Sequence, residues 1–68
     1  MTEDKQLICN YLVRALKCTR NQEDLTNLVY DSISETVSAI YDNGAIKHIN
    51  VAMDSGTAMI RDIMRVLD

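Results

Sequence analysis

The stretch that decides the fold is VAMDSGTAMI, residues 51–60, in which Asp54, Ser55 and Gly56 stand between two apolar runs. Two assignments of secondary structure fit this stretch. If residues 45–53 form a strand, the three residues make a turn at its end. If one helix runs through residues 45–67, Asp54 lies on its polar side and Gly56 on its apolar side. The choice determines the fold class and whether Asp54 is a candidate catalytic residue.

A helix accounts for more of the surrounding sequence. At 100° per residue, most apolar and small residues of this segment fall within roughly 140° of each other. We therefore predict a continuous helix over about residues 45–67. The alternative is a break, with Asp54 or Ser55 capping a shorter final helix. The predicted helix-packing and interface residues are Ala52, Met53, Gly56, Met59, Ile60, Ile63, Met64 and Leu67.

As a strand followed by Asp-Ser-Gly, the same stretch resembles the active-site loop of retroviral-type aspartic proteases. The resemblance implies a homodimeric hydrolase in which Asp54 of each subunit shares a proton and activates water. That family also has an all-β fold and a later glycine-containing motif. Here residues 3–43 have helical patterning and no glycine follows Gly56. An aspartic hydrolase is therefore our most remote hypothesis.

Two further helices are predicted before this segment. The first covers about residues 3–18, with Thr2 as its cap and Val13 on its polar side. Its apolar stripe is Leu7, Ile8, Tyr11, Leu12, Ala15 and Leu16. The second covers about residues 22–42 after an Asn21 cap, and its stripe is Leu25, Leu28, Val29, Ile33, Thr36, Val37 and Ile40.

The end of the second helix is placed at Gly44. The tripeptide Asp-Asn-Gly at residues 42–44 also suits a hairpin turn, but the 3.6-residue period before it favours a helix stop. The chain has no proline and only two glycines, which favours a few long helices. We predict one all-α domain over residues 1–68, a three-helix bundle completed by oligomerisation because so short a chain buries little surface.

Composition and charge narrow the function. Net charge is −3, and residues 21–44 carry five acidic and no basic groups, so no basic stripe favours nucleic acid. Cys9 and Cys18 are expected to be free thiols in a reducing compartment. No signal peptide or membrane span is visible, which favours the cytoplasm. His48 has no neighbour at helical spacing that could act as a second metal ligand, so no metal site is predicted. No cofactor and no catalytic residue are predicted either.

These observations favour a small acidic protein-interaction module, regulatory or adaptor-like and without catalytic activity. It would act as a homodimer, and its partners would be itself and another protein. A second hypothesis is a nucleic-acid-associated protein with a helix-turn-helix, in which Lys47, Arg61 and Arg65 would make the contacts. The acidic residues around them oppose it.

Overall fold

The computed structural model describes residues 4–67 and contains two helices and three strands. The strands form one antiparallel sheet in the order β1-β2-β3, and side chains of both helices enter the core on one face of it. The fold is therefore α+β, and the predicted all-α three-helix bundle is wrong. In chain order the elements are α1 (Lys5–Leu16), a 3-10 turn (Arg20–Gln22), β1 (Leu25–Asp31), β2 (Thr36–Tyr41), β3 (Ile46–Asn50) and α2 (Gly56–Leu67).

The core lies between the sheet and the two helices. Alternate residues of β2 point into it, as expected for a strand with one covered face. The opposite face of the sheet carries no element from residues 4–67. The largest fully buried side chains are Leu25, Leu28, Met59, Ile63, Val37, Val51 and Cys9.

Helix α1 forms where the first helix was predicted. Its N-cap is Asp4, whose side chain accepts a hydrogen bond from the backbone N–H of Leu7 at 2.9 Å. A carboxylate suits this position because the first N–H groups of a helix lack partners inside the helix. The predicted cap, Thr2, lies outside the described residues.

The predicted second helix, residues 22–42, is wrong because β1 and β2 occupy this segment. A tight turn joins the two strands. The carboxylate of Asp31 accepts a hydrogen bond from the N–H of Ile33 at 2.9 Å, and Glu35 adopts a positive φ of 52°. Side chain-to-backbone bonding of this kind lets aspartate close a turn without glycine or proline. Ile33, predicted for the helix stripe, is 95% exposed at the hairpin tip.

Residues 42–44 form a second hairpin turn, so their interpretation as a helix stop is also wrong. The N–H of Gly44 donates to the carbonyl of Tyr41 at 3.0 Å, and the N–H of Tyr41 donates to the carbonyl of Ala45 at 2.9 Å. Gly44 has a φ of 87°. A type I turn followed by a left-handed residue is a common three-residue hairpin loop.

The predicted continuous helix over residues 45–67 is wrong: its first part forms a strand, the interpretation that the helical period had disfavoured, and only the shorter final helix of the broken alternative is present. Strand β3 ends at Asn50, and Met53 adopts a φ of 66° that interrupts regular structure. Ser55 then caps α2, since its hydroxyl accepts a hydrogen bond from the N–H of Ala58 at 3.2 Å. A serine just before a helix supplies the acceptor that the first turn needs.

Candidate functional site

Helix α1 is apolar on two faces, and only one of them enters the core. Cys9, Val13 and Leu16 are buried against the sheet. Val13 was predicted to lie on the polar side, and the structure places it inside. The predicted stripe is divided: Leu16 is buried and Ile8 and Leu12 pack against the core, whereas Leu7 is 47% and Tyr11 65% exposed. The outer part of the helix therefore presents apolar side chains that the core does not bury.

This surface forms one wall of a groove between the two helices. The groove is shallow and open to solvent, with a volume of about 330 Å³ and an apolar lining. Its other wall comes from Ile60 on α2, which is 37% exposed. No charged side chain lines it, so a ligand would be recognised by apolar contact and shape. We call it the helical groove, and its lining residues are Ile8, Tyr11, Leu12, Ala15 and Ile60.

The predicted packing and interface residues fall into three environments. Gly56, Met59, Ile63 and Leu67 are buried along the inner face of α2. Ile60 lines the helical groove, while Met64, 46% exposed, borders a smaller depression of about 110 Å³. The other two precede the helix, where Ala52 is half-buried and Met53 is 97% exposed.

The two layers of the molecule carry opposite charge. Residues 4–22 and 56–67 contain six basic and two acidic side chains, a sum of +4. Residues 23–55, which include the sheet, contain one basic and six acidic side chains, a sum of −5. One exposed cation lies beside the helical groove, since Arg14 is one helical turn after Tyr11. The groove is thus apolar with one basic residue beside it.

A buried polar network closes one end of the fold. Gln22 is 7% exposed, and its Oε1 accepts a hydrogen bond from the Tyr41 hydroxyl at 2.9 Å. Its Nε2 donates to the carbonyl of Leu67 at the end of α2. Burial and the nearby Asp24 carboxylate raise the pKa of Tyr41. The sequence prediction missed Gln22, because a polar residue between two elements carries no periodic signal.

A polar pocket lies beside this network. It encloses about 260 Å³ and is lined by side chains that include the Asp24 carboxylate, the Asn43 amide and Lys47. The Lys47 ammonium lies 5.7 Å from the ring centroid of Tyr41. Hydrogen bonds within the protein already engage Gln22 and the Tyr41 hydroxyl, so these groups have a structural role. We therefore take the helical groove, and not this pocket, as the candidate site.

Asp54 lies in the loop before α2, half-buried and close to Asp62 of that helix. Hydrogen bonding to Asp62 raises the pKa of Asp54, and burial and the negative charge of Asp62 act in the same direction. The nearby Lys5 and Arg61 cations partly oppose this shift. The hydrolase hypothesis required an all-β chain that pairs Asp54 across a dimer. The α+β fold is not the all-β architecture that this hypothesis needs.

The remaining predicted residues are dispersed. His48 lies on β3, where its Nδ1 is 3.1 Å from the hydroxyl oxygen of Ser38 on the neighbouring strand. Arg61 and Arg65 are on α2, whereas Lys47 is on β3. Three strands separate the two helices, so the described residues form no helix-turn-helix. Cys9 and Cys18 are both free, and burial raises the pKa of the Cys9 thiol.

The fold and site define a class of molecule: a three-stranded antiparallel meander with two helices on one face and an apolar groove between them. Comparisons with protein-family models, curated proteins and solved structures found no match to the chain. Neither helix within residues 4–67 is long and apolar enough to cross a membrane. The helical groove is therefore the feature of the molecule that bears on its function.

Proposed function

We propose that the protein is a non-catalytic interaction module, regulatory or adaptor-like, that self-associates and binds a partner protein in the helical groove. The observation that carries this proposal is the outward apolar face of α1. A chain of 68 residues needs most of its apolar side chains for its core, yet Tyr11 is 65% exposed. Contiguous exposed apolar surface of this kind typically marks a binding site.

The chemistry of the groove favours an amphipathic helix as its ligand. A groove between two helices accepts the apolar face of a third, with anchors spaced three and four residues apart. Arg14, one helical turn from Tyr11, favours an acidic residue beside those anchors. The partner is thus a protein segment with an apolar stripe and an acidic residue at its margin. Cys9 and Cys18, as free thiols, are compatible with a reducing compartment, and we propose the cytoplasm.

Site-specific photocrosslinking tests the location of the site. A benzophenone amino acid replaces Tyr11 in one variant and Ile33 in the control, and both proteins are illuminated in the native host. Ile33 is the matched control because it is 95% exposed and lies at the hairpin tip, away from the helices. We expect a discrete crosslinked protein from position 11 only. Equal capture at both positions would count against the groove.

Binding measurements on the captured segment test the energetics. If the partner covers Tyr11, then about 130 Å² of it leaves water, worth about 3 kcal/mol. Tyr11→Ala should therefore weaken binding of a synthetic peptide from that segment roughly 100-fold. Val29→Ala, on the helix-free face of the sheet, is the control and should leave affinity unchanged. Unaltered binding by Tyr11→Ala would refute the proposed site.

A further inference from the structure

The two edge strands of the sheet, β1 and β3, differ in whether their outward backbone groups have hydrogen-bond partners. At the β1 edge, the side-chain amide of Gln6 from α1 occupies the place of a missing strand. Its Oε1 accepts a hydrogen bond from the N–H of Tyr30 at 2.8 Å, and its Nε2 donates to the carbonyl of Leu28 at 3.2 Å. A covered edge cannot pair with another chain. The β1 edge is therefore closed.

The β3 edge is open. The pairs Tyr41–Ala45 and Glu35–Val51 are hydrogen-bonded between β2 and its neighbour. Because bonded and non-bonded pairs alternate in an antiparallel ladder, Lys47 and Ile49 direct their backbone groups to β2. The N–H and C=O groups of Ile46, His48 and Asn50 therefore point away from the sheet, and no hydrogen bond from within residues 4–67 reaches them.

The usual devices that protect an edge strand are missing from β3. It contains no proline, and its pairing with β2 runs without a bulge. Its single lysine does not block pairing at this edge, because the Lys47 ammonium lies over the ring of Tyr41 on β2. The five residues of β3 thus form a regular strand with one free side.

We propose that β3 pairs with β3 of a second copy of this chain, antiparallel and centred on His48, to join two sheets into one of six strands. This register places Ile46 opposite Asn50 of the second copy and uses every outward backbone group. A register centred on Lys47 would pair only Ile46 with His48 and would set Asn50 opposite Gly44, outside the strand. The inference rests on the self-association in the proposed function.

An apolar residue on α2 supports this arrangement independently. Val66 is 43% exposed and does not line the helical groove. At 100° per residue it lies about 120° around α2 from Ile60, and the buried Met59 and Ile63 fall between the two. Val66 is therefore on the side of α2 that faces away from α1. In the paired sheet both copies keep their helices on the same face, so Val66 approaches α2 of the second copy.

Analytical ultracentrifugation of the full chain with two variants of His48 tests the proposal. His48→Pro removes an outward N–H that the fold does not use, and proline is tolerated on an edge strand at such a position. His48→Ala removes the side chain but keeps the N–H and is the matched control. We expect the parent and the alanine variant at twice 7.7 kDa and the proline variant at 7.7 kDa, each with the same circular dichroism spectrum.

Amide hydrogen exchange of the unmodified protein supplies a second measurement that does not depend on the variants folding. We expect the amides of Ile46, His48 and Asn50 to become protected as concentration rises, while those of Lys47 and Ile49 are protected throughout. A dimer in which the outward amides exchange rapidly would overturn the strand pairing and leave self-association intact. A monomer at millimolar concentration would overturn both.

Discussion

Replacing Gln22 by alanine tests the network that ties the 3-10 turn to β2 and α2. Gln22 is 7% exposed and makes two hydrogen bonds, one from the Tyr41 hydroxyl and one to the Leu67 carbonyl. Each bond contributes about 1 kcal/mol net, and a buried hydroxyl left without a partner costs about 1 kcal/mol more. We therefore expect Gln22→Ala to lower the free energy of unfolding by about 3 kcal/mol.

That loss is large for a chain of 68 residues, whose total stability is about 3–10 kcal/mol. In thermal unfolding followed by circular dichroism, Tm should fall by roughly 15 °C. Asn21→Ala, at the exposed neighbouring position, is the control and should change the free energy of unfolding by less than about 0.5 kcal/mol.

A double-mutant cycle with Tyr41→Phe isolates the hydroxyl contact. We expect a coupling energy of about 1 kcal/mol between the two sites, because either substitution alone removes the same hydrogen bond. A Gln22→Ala variant as stable as the parent would refute the reasoning, since the amide would then be replaceable by water and the network would not hold the elements together.

Two further substitutions test the loops. Gly44→Ala should lower the free energy of unfolding by about 1 kcal/mol in urea titration, because Gly44 has a φ of 87° while space for a Cβ is open. Gly44→Asn should lose less, and equal loss in both would contradict a backbone cause. Asp54→Asn should raise the urea midpoint at pH 7. The pKa of Asp54 is raised in the folded protein, so its contribution to stability is full below its unfolded pKa and is lost as pH rises through the folded pKa. The gain should vanish near pH 3, and a constant gain at both pH values would refute this cause.

The sequence predicted the first helix but not the β1–β2 hairpin, for two physical reasons. Val29, Ile33 and Val37 recur every four residues as on a helix, although they lie on the helix-free face, at the hairpin tip and in the core, so the hairpin produces this spacing by coincidence. A bulge between Leu25 and Asn27 then shifts the phase of β1. It brings Leu25 and Leu28, three residues apart, onto the same buried face. This imitates the spacing of a helix.

The turn at residues 42–44 has a usual hairpin sequence and was assigned to a helix stop, whereas the other two were missed because their residues are not the usual ones. Glu35 and Met53 adopt positive φ values without being glycine, and only the surrounding structure fixes such conformations. The alternation of Val37 and Ala39 with the polar Thr36 and Ser38 is the signal in β2 that could have shown a strand, although Ile40 interrupts it. The Ser55 cap was predicted as an alternative, because its hydroxyl acts through local geometry alone.

The groove was partly predictable. The apolar stripe of α1 that includes Ile8, Tyr11 and Leu12 was found, but it was assigned to a core. The helix carries more apolar residues than one face can bury, and Val13 lies on the other side. Together these features indicated a second apolar surface. Which face enters the core depends on the sheet. Because the strands were predicted as helices, the sequence alone misplaced Tyr11 and Val13, while Ile8 and Leu12 do pack against the core.

The central claim is that the two apolar faces of α1 have separate roles, one in folding and one in binding. The free energies of unfolding of Tyr11→Ala and Val13→Ala, measured side by side in urea, test it most directly. Val13 is 8% exposed and Tyr11 is 65% exposed. We expect Val13→Ala to lose about 2 kcal/mol and Tyr11→Ala less than about 0.5 kcal/mol. A larger loss from Tyr11→Ala than from Val13→Ala would contradict the account, because the outer face would then belong to the core.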